Sequence, residues 1–272
     1  MKQWLETRDV LDFLERARAA GRRAALATVV RVRGSAYRHE GAKLAVAEDG
    51  SSAGNVSGGC LEQDVREVAL QVLQSGACQL RNYCSSADEI EAWDLGVGCE
   101  GQVDVYVEPA EPRPRERALL NGRTAFAVCS LLAGQGKEGS GKRLIVTRQA
   151  TEGDLGSAEL NRAAGTRARE LLETGESGIR DVAGRSVFFD VLSPPPQLVV
   201  VGAGDDARPL ARFAADVGFR VVVADRRPGL LTHERFPAAA LLVESRGEEL
   251  ATVLPLDAEC YAVVMNHSFA DD

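Results

Sequence analysis

Two of the six cysteines are framed by glycines. Cys60 stands in Gly54-Asn55-Val56-Ser57-Gly58-Gly59-Cys60-Leu61-Glu62, a turn that runs into an apolar stripe at helical spacing, Leu61, Val65, Val68, Ala69 and Val72. Cys99 stands in Leu95-Gly96-Val97-Gly98-Cys99-Glu100-Gly101, just ahead of an alternating strand, whereas Cys78, Cys84, Cys129 and Cys260 have no adjacent glycine. Amides without side chains, aimed from a helix N-terminus, make an anion site, so Ser57, Gly58 and Gly59 are candidates to cradle a phosphate. A cysteine in the first helical turn has its thiolate stabilised by the same dipole, which favours Cys60 as a nucleophile or soft-metal ligand. Glycines around Cys99 strip steric cover from its sulfur. A buried core thiol is the commoner fate of either residue, yet two framed cysteines suit a thiophilic metal centre with a phosphate tail.

A third cluster, Gly34-Ser35-Ala36-Tyr37-Arg38-His39-Glu40-Gly41-Ala42-Lys43, offers Arg38 as a planar fork for phosphate and His39 as a ligand or proton carrier, or else a solvated loop. A fourth, Gly202-Ala203-Gly204-Asp205-Asp206-Ala207, lies between an apolar run and a helical stripe, with Asp225 closing the next apolar run. In a dinucleotide turn Gly202 allows the bend, Gly204 admits a pyrophosphate and Asp225 takes a ribose hydroxyl. Asp205 and Asp206 would repel that pyrophosphate, so a Rossmann-like scaffold without its usual ligand stands level with an NAD(P) site. Arg226 and Arg227 could bind phosphate or face solvent, and His267 follows a strand end, where parallel sheets bind ligands. No Ser-His-Asp spacing, HExxH or P-loop lysine supports a hydrolase or kinase.

These clusters need positioning elements. Val10, Leu11, Phe13, Leu14 and Ala17 predict an opening helix from Thr7, as N-cap, to Ala20. Runs 24–33 and 42–47 predict strands flanking the Gly34 to Gly41 loop, and Leu61 to about Gly76 a helix. Further strands are expected at 103–107, 124–133, 143–147 and 186–191, a Pro-rich turn at Pro109, Pro112 and Pro114, and a helix at 155–172. Three prolines at 194–196 predict a domain boundary. Beyond them 198–201, 221–224 and 262–265 are continuous apolar runs separated by helical spacing, the pattern of a parallel sheet. The expected fold is α/β: a mixed α+β domain over 1–192, then a partial Rossmann-like domain over 197–272 that is C-terminally truncated, since few strands follow.

The length of 272 residues suits two domains. With 32 Lys plus Arg against 40 Asp plus Glu, the net charge of -8 argues against a nucleic-acid partner, which requires a basic face. No apolar stretch reaches the roughly 18 residues that span a bilayer, and Glu6 and Asp9 interrupt any signal peptide. The expectation is a cytoplasmic protein without stable membrane insertion.

The combination of Gly34-Ser35-Ala36-Tyr37-Arg38 with Gly41-Ala42-Lys43, Val56-Ser57-Gly58-Gly59-Cys60-Leu61-Glu62 and Gly96-Val97-Gly98-Cys99 resembles the XdhC/CoxI family of molybdenum hydroxylase maturation factors. The segment 198–265, with its Gly-Ala-Gly turn and Met-Asn-His ending, is similar to that family's Rossmann domain. The resemblance implies a chaperone that binds molybdenum cofactor, as molybdopterin or its dinucleotide. It would support sulfuration by a cysteine desulfurase and deliver the cofactor to an apo molybdenum hydroxylase of the xanthine or carbon monoxide dehydrogenase type. Cys60 and Cys99 would then contact molybdenum or sulfur, Ser57, Gly58, Gly59 and Arg38 the phosphate, and Gly202, Gly204 and Asp225 a nucleotide. A homodimer is the family expectation. Ala36 and Tyr37 depart from the family's usual serine and proline. An NAD(P)-dependent oxidoreductase and a ligand-free interaction scaffold are the alternatives.

Overall fold

A computed structural model describes residues 2–84, 101–132, 141–246, 249–254, 256 and 259–266. The chain divides into two compact units, the first over Gln3–Ser193 and the second over Pro194–Asp272.

The first unit runs α1 (Lys2–Ala19), β1 (Ala24–Arg33), β2 (Lys43–Ala47), β3 (Ser52–Gly54), α2 (Glu62–Ser75), β4 (Gln79–Cys84), β5 (Gln102–Pro109) and α3 (Pro114–Asn121). It continues with β6 (Phe126–Leu131), β7 (Arg143–Val146), β8 (Thr151–Asp154), α4 (Ala158–Thr174), β9 (Gly178–Val182) and β10 (Arg185–Leu192). The strands make two antiparallel sheets, ordered β3-β2-β1-β5-β4 and β8-β7-β6-β10-β9. Strand periodicity explains how they stack. In β1 and β5, Ala25, Ala27, Val29, Val103, Val105 and Val107 pack against α2. In β6 and β10, Ala127, Cys129, Leu131, Val187, Phe189 and Val191 pack against α4. The alternate residues turn the other way, and the two sheets meet through Val30, Cys78, Tyr106 and Phe188. Burial pushes the Cys129 thiol up to about 12, as befits a core residue.

The opening helix differs from its expected start. It begins at Lys2 because Trp4 anchors it in a cluster with Leu11, Leu119, Leu120 and Phe126, so Thr7 is an interior helical residue, only 1% exposed, and not a cap. The Pro-rich stretch also holds a helix, α3, with Pro114 in its first turn, where a missing N–H costs nothing.

The second unit contains β11 (Gln197–Val201), α5 (Ala207–Asp216), β12 (Arg220–Asp225), a 3₁₀ turn (Pro228–Leu230), β13 (Leu241–Glu244), α6 (Leu250–Val253) and β14 (Cys260–Val264). Its four strands are parallel, ordered β13-β12-β11-β14. The runs 198–201 and 221–224 are buried on both faces: Leu198, Val200, Val221 and Val223 face α5, and Val199, Val201, Val222 and Ala224 face Leu250 and Leu254. The third run, 262–265, is exposed or half-buried because β14 lies at the end of the strand order. The architecture is a mixed α+β region followed by a Rossmann-like parallel sheet. Among the described residues no helix is long and apolar enough to cross a membrane.

Candidate functional site

Two connections of the first sheet converge: loop 34–41 between β1 and β2, and loop 55–61 between β3 and α2. Ala36 and Leu61, one from each, pack on the same apolar core. Tyr37 lies over Gly58, whose hypothetical Cβ would stand 3.3 Å from the ring Cγ and 3.5 and 3.6 Å from its two Cδ atoms. Gly101, at the mouth of β5, closes against the first loop, so that a Cβ there would collide with the Ser35 carbonyl oxygen. Only glycine permits that approach.

Inside the second loop the polar groups satisfy one another. The Val56 and Ser57 amides donate to Glu62 Oε1 at 3.2 and 2.9 Å, the Ser57 hydroxyl donates to Glu62 Oε2, and the Gly59 and Leu61 amides donate to Ser57 Oγ, each at 3.1 Å. Burial alone would raise the Glu62 carboxyl, but the bonds from the Ser57 hydroxyl and the surrounding amides outweigh it and hold it below its ordinary value. Ser57 therefore organises the turn from within, 5% exposed. The Gly59 amide is engaged by Ser57 rather than presented outward, while Gly58 and Gly59 themselves are exposed. Asn55 Oδ1 is buried without a hydrogen-bond partner.

Cys60 is a free, half-buried thiol two residues ahead of the first helical residue, Glu62, so it precedes the helix instead of occupying its first turn. The physical reason is that Leu61 takes the cap position and the Ser57 hydroxyl ties the preceding turn. Cys99, with Gly96 and Gly98, lies outside the described residues, as does His267. Among the described residues no three His, Cys, Asp or Glu side chains gather as a metal site.

Arg38 is not a free phosphate fork. Both terminal nitrogens engage the Glu6 carboxylate of α1, and the side chain is 10% exposed. Phosphate at Arg38 would have to displace Glu6. His39 is exposed. Lys43 turns inward to Asp190 at 2.6 Å and donates to the Gly41 carbonyl at 2.8 Å, which fastens the end of loop 34–41.

In the second unit Gly202 has φ of +114°, and a Cβ there would meet the Met265 carbonyl oxygen at 2.9 Å, so the turn needs a glycine for both reasons. The rest of the turn departs from the dinucleotide expectation. Asp225 is 4% exposed; Oδ2 accepts from the Ala203 amide at 2.7 Å and from Arg227 Nη2 at 2.9 Å, and Oδ1 accepts from the Arg227 amide and Nε. No lone pair is left facing a ribose. Asp206 caps α5 through the Ala207 amide and sits where a Cβ on Gly204 would be, 2.5 Å from its Oδ1. Asp205 pairs with Arg235, which also donates to the Ala203 carbonyl.

The hydrogen bonds from Arg227 are the main cause that holds the Asp225 carboxyl down to about 2, against the opposing effect of burial. Its folded value is depressed, so its stabilisation is complete above about pH 4 and is lost as pH falls toward about 2. Asp225→Asn should remove this part of the acid sensitivity. The check is thermal unfolding of both proteins from pH 5 to 2, where the gap between them should close as the wild type protonates.

A model of the XdhC and CoxI family matches residues 17–83, which include both converging loops, and a model of the XdhC Rossmann domain matches residues 198–272. A Bacillus subtilis (strain 168) protein named as a probable xanthine dehydrogenase subunit is 31% identical over 255 residues, spanning 92% of this chain and 73% of the relative. The chain belongs to the XdhC and CoxI family. This XdhC/CoxI chain also resembles a crystal structure of a xanthine dehydrogenase from Bacillus halodurans, with a TM-score of 0.77 and 26% identity, covering 97% of this chain and 76% of that one. It is 34% identical over 115 residues to the molybdenum cofactor insertion chaperone PaoD of Escherichia coli (strain K12), a match that spans 42% of this chain and 35% of PaoD.

Glu62, Tyr37 and Glu6 have structural roles at the site that residue typing did not assign. Glu62 was readable, since an acid five residues after Ser57 at a helix start can fold back on the turn's amides. Glu6 was not, because its partner Arg38 is 32 residues away.

Proposed function

We propose that this protein is an accessory factor, not a metabolic enzyme. In this reading it binds molybdenum cofactor as cargo, supports its sulfuration and passes it to an apo molybdenum hydroxylase. The observation that carries the reading is the convergence of loops 34–41 and 55–61, the second of which holds the half-buried Cys60, in a chain similar along part of its length to a protein named as a molybdenum cofactor insertion chaperone. An exposed glycine pair suits the approach of a phosphate, and a thiol beside it suits a soft metal or a sulfur to be transferred. Glu62 and Ser57 hold that turn in shape before cargo arrives, so less ordering is needed on binding. A cysteine desulfurase and the apo hydroxylase would be its partners, and Cys99 a second sulfur contact.

The NAD(P)-oxidoreductase alternative loses its main support, because Asp225 spends both oxygens inside the turn. A nucleotide on Gly202 and Gly204 would face Asp205 and Asp206 across the same amides.

The test is molybdenum and pterin retained after anaerobic incubation with isolated cofactor and desalting. Near-stoichiometric retention by wild type, falling to background in Cys60→Ala, is expected. Undiminished retention by the Cys60→Ala/Cys99→Ala double variant removes the cysteines from the site, and no retention by wild type removes the carrier reading. Co-purification with an apo hydroxylase checks delivery.

A further inference from the structure

We infer that Tyr37 is a stacking plate for the flat heterocycle of the ligand, a residue-level assignment that rests on the cargo reading above. Singly exposed aromatic side chains are ordinary, but the setting of this one is not. The ring is 67% exposed, yet three of its atoms lie 3.3 to 3.6 Å from the position of a Gly58 Cβ. Near-equal distances to Cγ and both Cδ atoms mean that a face, not an edge, rests on the glycine. The opposite face is the one left to solvent. Any side chain at 58 would press on the ring, so the glycine that was expected to serve only a phosphate also seats the plate.

The plate is held still by its neighbours. Arg38 is tied to Glu6, Glu40 accepts from the Val32 amide at 2.9 Å, and the Ser35 carbonyl abuts Gly101. A loop fixed on both sides of Tyr37 loses little freedom when a ligand stacks, which is what makes an aromatic platform effective. Cys60 follows Gly58 by two residues, so its Cα lies no more than about 7.6 Å from that of Gly58. A ligand with an aromatic ring system at one end and a soft centre beside it would meet both groups. Under the cargo reading the chemical class is a pterin, held by its π-face.

The experiment titrates intact wild type, Tyr37→Phe and Tyr37→Ala with a metal-free pterin phosphate, followed by pterin fluorescence, beside inorganic phosphate and an adenine nucleotide as separate probes. Retention of whole molybdenum cofactor is measured in parallel, and thermal unfolding confirms that the exposed substitutions leave the fold intact. The expected result is a Kd for the pterin raised about tenfold in Tyr37→Ala and nearly unchanged in Tyr37→Phe, because stacking needs a ring but no hydroxyl. Gly58→Ala should weaken the pterin in the same direction by tilting the plate. Equal pterin affinity in wild type and Tyr37→Ala, with molybdenum cofactor still retained by both, overturns the plate and leaves the cargo reading standing. No pterin or molybdenum retention by wild type overturns both. Tyr37 dependence seen with the adenine nucleotide and not with pterin overturns the pterin class.

Discussion

Lys43→Met is expected to destabilise the first unit by about 3 to 5 kcal/mol, because it leaves the buried Asp190 carboxylate without its cation. Lys43 and Asp190 are 5% and 7% exposed and lie 2.6 Å apart. They join β2 of one sheet to β10 of the other. Gln3 donates to Asp190 at 2.8 Å, and Thr7 stands 3.4 Å from the Lys43 Nζ, so α1 is drawn into the same network. In a unit of this size the loss corresponds to a fall in Tm of roughly 6 to 20 °C. Differential scanning calorimetry would show it. The pair's net contribution is a separate matter: replacing both charges, Lys43→Met with Asp190→Leu, should recover most of the stability, since two desolvation penalties vanish together. Because the Lys43 Nζ also holds the Gly41 carbonyl, the single variant should loosen the end of loop 34–41. Cofactor retention should fall with it.

Arg113→Met should cost about as much, again roughly 3 to 5 kcal/mol. Arg113 is 6% exposed and bridges Glu108 at 2.8 Å and Glu116 at 3.2 Å, themselves 9% and 3% exposed, with Arg143 4.0 Å from Glu108. Burial works against the Arg113 charge, but the Glu116 and Glu108 carboxylates outweigh it and hold the guanidinium above its ordinary value. Without it Glu108 and Glu116 lose their close ion-pair partner, and Arg143 stands 4.0 Å from Glu108. Two buried carboxylates short of their main cation carry an uncompensated desolvation penalty, which is what sets the size of the loss. Urea unfolding of wild type and variant at pH 7 would check this, and a loss below about 1 kcal/mol would mean that the cluster is hydrated.

Much of the frame was readable because it obeys simple periods. The run 24–33 matches β1 residue for residue, Val65, Val68, Ala69 and Val72 form the buried face of α2, and Gly76 ends that helix in the left-handed region at φ 69°. The three prolines stand at the boundary between the two compact units. What escaped lacks a period. β8 is exposed at all four positions, so no alternation marks it, and β3 is only three residues long. α3 hides behind Pro112 and Pro114, which read as a turn until Leu119 and Leu120 are seen packed against Trp4.

The candidate site divides in the same way. By itself the sequence determined the two site loops, the glycines that shape them, the family resemblance and the parallel sheet after the prolines, because turn chemistry and hydrophobic patterning act between near neighbours. Only the tertiary structure decided which polar groups remain free. Arg38 is spent on Glu6, the Asp225 oxygens on Ala203 and Arg227, and the Gly59 amide on Ser57, while Tyr37 is set on Gly58 with one face open. A buried donor or acceptor must find a partner wherever the fold supplies one, and many of these partners lie far apart along the chain. Residue type states what a group can bind; packing settles what it has already bound.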